Sequence, residues 1–148
     1  MNAVRRPVFT TSCLLIIALV VATGCSIPVI QDRSCLAARE SVRQFYAFHI
    51  GGDMTPSGEN LEARRRYLTD ELYTSLAAAP AGALDYFTRS EDYPKAFQLG
   101  ACEAKAAGRA NVVVNLYWRA NDQNLQREVT VEAVERDDKW LINSVSGK

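Results

Sequence analysis

Histidine occurs once in these 148 residues, as His49, and cysteine four times. A protein-built zinc site gathers about four ligands, and one imidazole with so few thiols does not supply them. No metal site is therefore expected. There is no Gly-rich phosphate loop, no Gly-x-Ser-x-Gly elbow and no His-Glu-x-x-His pair. The local signatures of nucleotide binding, serine hydrolysis and zinc proteolysis are thus missing, and no cofactor is called for. Net charge is missing too, because 17 Lys and Arg offset 17 Asp and Glu. That removes the basic field on which nucleic-acid binding depends. No apolar run approaches the roughly 20 residues that span a bilayer. The longest, residues 13–22, has about ten.

That short run has informative flanks. Arg5 and Arg6 precede it, and it exits through Ala22-Thr23-Gly24-Cys25. A basic start, a short apolar middle and a small-residue exit predict a secretory signal over residues 1–24. The exit resembles the lipobox of bacterial lipoproteins, with Ala22 where Leu is usual. The resemblance implies that Cys25 receives a diacylglycerol thioether and becomes the mature N-terminus. The competing reading is an ordinary signal cut nearby, with Cys25 a spare thiol. Ser26, which is not Asp, resembles the enteric signal for outer-membrane sorting. The expected location is the cell envelope, anchored to the membrane through the N-terminal lipid and facing the periplasm.

Loss of the signal takes Arg5 and Arg6 with it and leaves 15 basic against 17 acidic residues. Attachment then rests on lipid and not on a basic patch, and several acyl chains hold far better than one. Residues 25–34 read as a tether. Residues 35–148 are the right length for one domain, long enough to bury about two thirds of the unfolded surface. Cys35 and Cys102 are the thiols left in that domain, in a compartment that oxidises pairs. They are expected to form a disulfide; the alternative is two buried free thiols.

Hydrophobic periodicity divides the domain in two. In residues 36–50, Ala38, Val42, Phe45, Tyr46 and His49 recur on one helical face, and Gly51-Gly52 stops the helix. Residues 61–79 hold two helical pieces. Thr69 is the expected N-cap of the second, with Asp70 and Glu71 in its first turn, where the helix dipole favours anions. From Phe97 the period becomes two. Ala110, Val112, Val114, Leu116 and Trp118 share one face, and Leu125, Val129, Val131 and Ala133 are expected to face inward with them. A last strand centres on Trp140 and Ile142. Helices first and strands afterwards predict an α+β fold, with N-terminal helices on one face of an antiparallel sheet of three to four strands.

The segments Ser41-Val-Arg-Gln-Phe-Tyr46, Arg66-Tyr-Leu-Thr-Asp-Glu-Leu72, Asp85-Tyr-Phe87 with Glu91-Asp92, and Asp138-Lys-Trp-Leu-Ile-Asn143 occur in that order. Their order and spacing resemble a family of small bacterial envelope proteins known as domain of unknown function 3828. That family is similar to the cystatin-like, nuclear-transport-factor-2-like superfamily. The resemblance implies a curved sheet closing a cone around the helices. It transfers no catalytic residue.

The residues themselves leave two functional readings. The first is a non-enzymatic module that binds another envelope protein, as an accessory subunit or an immunity-type inhibitor of a toxin. Its candidate surface is Arg64, Arg65 and Arg66 with the outward sheet residues Asn115 and Tyr117. The second is a small-molecule binder or enzyme with a pocket containing Tyr46, His49, Asp85 and Asp92. There a buried carboxylate would move protons. Simpler roles stand beside each: a solvated arginine face, a half-buried helix-end histidine, capping by Asp85 and a turn at Asp92.

Overall fold

The computed structural model describes residues 32–147, apart from 81, 83, 107, 121 and 122. Cys25 and the predicted signal and tether up to Gln31 lie outside the described residues.

Helix α1 (Arg33–Gly51) takes in the last two residues of the expected tether. Asp32 explains the early start, since its side chain accepts a hydrogen bond from Ser34 N and caps the first turn. The predicted face of α1 is the buried one: Ala38, Val42, Phe45, Tyr46 and His49 all lie inside. Helix α2 (Gly58–Arg64) is capped by Ser57 and tightens into a 3-10 turn (Arg65–Tyr67). Helix α3 (Asp70–Ala78) starts where expected, with the Thr69 side chain accepting from Leu72 N.

Four strands follow in meander order: β1 (Ala96–Ala106), β2 (Arg109–Ala120), β3 (Gln123–Arg136) and β4 (Lys139–Gly147). All pairings are antiparallel. The β3–β4 turn places Asp137 and Asp138 at φ 49° and 61°. A two-residue hairpin turn asks for this left-handed pair because its twist matches the strands. Register breaks in β1, between Leu99 and Cys102 and between Ala104 and Ala106, and in β3, between Glu132 and Ala133, mark bulges; such bulges bend strands.

The α+β architecture is as expected, with the helical layer on one face of the sheet. Val112, Val114, Leu116, Val129, Val131, Ala133, Ile142 and Val145 meet Ala38, Val42, Phe45 and Tyr46 in one core. Leu68 joins it, and Thr69 N donates to Ile142 O, which fastens the helical layer to the β4 edge. The disulfide Cys35–Cys102 ties the first turn of α1 to β1, with Cα atoms 5.8 Å apart. Leu125 departs from expectation and is half exposed. It pairs with Trp118 near the far end of the long β2–β3 hairpin. Strand alternation sets which way a side chain points, not whether another element covers it. Among the described residues no helix is long and apolar enough to cross a membrane.

Candidate functional site

The polar centre of the domain is a buried chain of three side chains, Arg64, His49 and Asp85. His49 comes from the last turn of α1, Arg64 from the end of α2, and Asp85 from the loop before β1. Arg64 Nε donates to His49 Nδ1 at 2.7 Å. A nitrogen that accepts a hydrogen bond carries no proton. The imidazole proton therefore sits on Nε2, which points at Asp85 Oδ1 at 3.2 Å. The chain runs cation, neutral ring, carboxylate.

Each member is held on other sides. Arg64 also donates to the carbonyls of Asn60 (2.5 Å) and Asp53 (2.6 Å). Asp85 Oδ1 accepts the backbone N–H groups of Phe87 and Thr88, closing the turn. Burial acts to raise the Asp85 carboxyl, but the His49 N–H and the Thr88 amide outweigh it and hold its pKa below the ordinary carboxylate value. Burial pulls the Arg64 guanidinium down, opposed by Asp85 and Asp53.

His49 is fully buried. Its ring stacks on Phe45 (centroids 5.4 Å, planes 10° apart) and meets Phe87 edge-on at 5.2 Å. Both ring nitrogens are engaged by protein groups, and Phe45 and Phe87, themselves 4.7 Å apart, pack against the ring. The arrangement can orient Arg64 and lock three segments together.

A cavity of about 330 Å³ opens beside this chain. Arg64, Asp85 and Arg89 line it together with Met54, Leu61 and Leu84. Of the four expected pocket residues only Asp85 reaches its wall. Tyr46 lies in the core, and its hydroxyl donates to Phe87 O at 2.7 Å. Its hydroxyl pKa is raised well above the ordinary value, first by burial and then by Asp85. Asp92 is exposed, and its carbonyl takes the Trp118 indole N–H. It stands apart from the cavity because it belongs to the loop leading into β1, beyond the turn that Asp85 closes.

The arginine run is also redistributed. Arg64 is 4% exposed and belongs to the buried chain, so it does not contribute to a surface. Arg65 and Arg66 are exposed, and aromatic rings hold both. Arg66 lies 5.1 Å from the Phe48 centroid and 4.8 Å from that of Tyr67; Arg65 lies 4.7 Å from that of Tyr73. Asn115 and Tyr117 alternate with buried Val114 and Leu116, so they project from the other face of the sheet. There Gln126 donates to Asn115 and Tyr117 donates to Gln98. The expected surface is thus two separate patches.

Among the described residues three carboxyls are held below their ordinary pKa. Asp53 stands at about 2, chiefly because its carboxylate accepts the Thr55 N–H. Asp85 is lowered as described, and Glu132 is lowered first by the Asn143 amide. Each binds its proton less readily folded than unfolded. Their stabilisation is complete above the unfolded values and is lost as pH falls through the folded ones. Through these three carboxyls the urea midpoint should fall as the pH drops below about 4. A midpoint that rises on acidification contradicts this.

No family model and no curated protein matches the sequence. Among solved structures, the chain is similar to a chain in the crystal structure of the type VI native effector-immunity complex Tae3-Tai3 from Ralstonia pickettii. The two share 20% identity and a TM-score of 0.55, over 76% of this chain and 95% of that one. At that identity the likeness is one of fold.

Proposed function

We propose that this chain is a lipid-anchored lipoprotein of the bacterial envelope, held at Cys25, whose domain binds another envelope protein without catalysis. The observation that carries the reading is the Arg65–Arg66 face. Arginine and aromatic residues are the types that dominate protein interfaces. Cation–π contact with Phe48, Tyr67 and Tyr73 holds both guanidinium groups over their rings and reduces the side-chain entropy lost on binding. The fold is similar to that of a chain in an effector–immunity complex, which supports protein contact as its use here, including the immunity-type role. Tethering adds effective concentration at the membrane, so a modest contact area suffices. The complete burial of His49, with both ring nitrogens engaged by protein groups, speaks against the competing proton-transfer reading.

Two measurements test the proposal. Combined Arg65→Glu and Arg66→Glu should cut partner capture from crosslinked envelopes at least about tenfold, the scale of one interface hot spot. Folding should be unaffected, because exposed charges contribute little to stability. Undiminished capture would remove this face from the interface. Separately, Cys25→Ser should abolish labelling by a clickable palmitate analogue and leave unprocessed precursor; persistent labelling ends the lipoprotein reading.

A further inference from the structure

Beyond protein binding, we propose that the cavity beside Arg64 is a binding site for a small aliphatic carboxylate. Its volume is about 330 Å³. At roughly 30 Å³ per heavy atom, the share of a water molecule in the liquid, that space holds about ten heavy atoms. Met54, Leu61, Leu76 and Leu84 form an apolar bed, as small-molecule sites usually have beside a few placed polar groups.

Charge fixes the sign of the ligand. Among the described residues the wall carries two guanidinium groups, Arg64 and Arg89, against one carboxylate, Asp85. Asp85 already receives three N–H groups at Oδ1, which lessens its demand for a further cation. Arg64 is the reverse case. Its Nε and one N–H of each terminal nitrogen are engaged. The second N–H of each terminal nitrogen has no acceptor among the described residues. A donor without a protein acceptor favours a ligand that supplies one. Two N–H groups on one rigid plane match the two oxygens of a carboxylate. His49 fixes that plane before any ligand arrives, and Asp85 fixes His49. Leu84, on the same wall, is 47% exposed, an apolar side chain that an aliphatic tail would cover.

The probe is octanoate, which has ten heavy atoms, titrated calorimetrically into the purified full chain carrying Cys25→Ser so that no anchor acyl chain competes. Octan-1-ol and octylamine are the comparators. Saturable octanoate binding at least tenfold tighter than octanol, with none for octylamine, is the expected result. Leu84→Asp, which sets a like charge against the ligand at an exposed position, should weaken octanoate at least tenfold without moving the urea midpoint. Arg89→Gln should weaken it severalfold. Equal affinity for octanol and octanoate, binding of octylamine, no saturable heat with octanoate, or indifference to Leu84→Asp would each overturn the proposal. None of these outcomes touches partner capture through Arg65 and Arg66, so the two readings fail separately.

Discussion

Replacing Arg64 by alanine should lower the folding stability by about 3–5 kcal/mol, the usual cost of breaking a buried charge pair by removing one partner. The reason lies in what the guanidinium leaves behind. His49 Nδ1 and the carbonyls of Asn60 and Asp53 lose their donor. Asp85, itself buried, loses the positive charge at the other end of the chain. The imidazole could then turn or change tautomer, which would also free Asp85 Oδ1 from His49 Nε2. Arg64→Lys keeps the charge but cannot donate along three fixed directions in a plane. It should recover only part of the loss. Urea unfolding at constant m-value measures both. A double-mutant cycle with Asp85→Asn should show a coupling of about 1 kcal/mol or more, since members of one network are not additive. A cost for Arg64→Ala below about 1 kcal/mol, the size of a minor surface effect, would mean that the chain is not a structural unit.

Arg64 also shows where the sequence is silent. The other two members of its chain, His49 and Asp85, lie 15 and 21 positions away in other elements, and no local period reports such a meeting. Three consecutive arginines look alike on a helix surface. One signal does exist: Leu61, Arg64 and Leu68 are spaced three and four apart, so Arg64 lies on the stripe that buries. An arginine on an apolar stripe is a candidate for a buried pair rather than a solvated face. The histidine on the buried face of α1 is its natural counterpart.

What local rules govern was legible. The α1 face and the Thr69 cap follow from spacing and capping chemistry within a few residues. The change of period from 3.6 to 2 at Phe97 predicted strands after helices and hence the α+β class; the meander order of those strands is what the structure adds. Leu125 failed for a different reason. Its alternation with Val129 is regular, but exposure there depends on how far the helical layer reaches along β2 and β3, which no strand encodes. Asp85 and Asp92 illustrate the same divide. Both stand in turn-rich sequence, yet only Asp85 closes its turn against a buried histidine. The pairing is set by the packing of Phe87 on Phe45, across two elements.

Removing the disulfide by joint Cys35→Ala and Cys102→Ala replacement should cost roughly 4 kcal/mol, the loop-closure entropy for a 67-residue separation. The joint replacement matters, because a single one leaves a free thiol able to cross-link two chains. The bond's position explains why the effect should be visible in folding as well as stability. It joins the first turn of α1, the element that supplies Ala38, Val42, Phe45 and Tyr46 to the core, to the edge strand β1. Arg39, one turn further along α1, donates to the Gly100 carbonyl in the bulged stretch of β1. The helix is thus fastened to that edge at two neighbouring points, one covalent and one not. Without the covalent one, bringing α1 onto β1 again requires closing a long loop before core contacts repay it. The urea midpoint of the double variant should fall well below that of the oxidised chain, and the wild-type chain unfolded in reductant should follow the variant. Superimposable curves for the oxidised chain, the reduced chain and the double variant would show that the linkage contributes nothing to stability, and that the hydrophobic contacts of α1 alone hold it on the sheet.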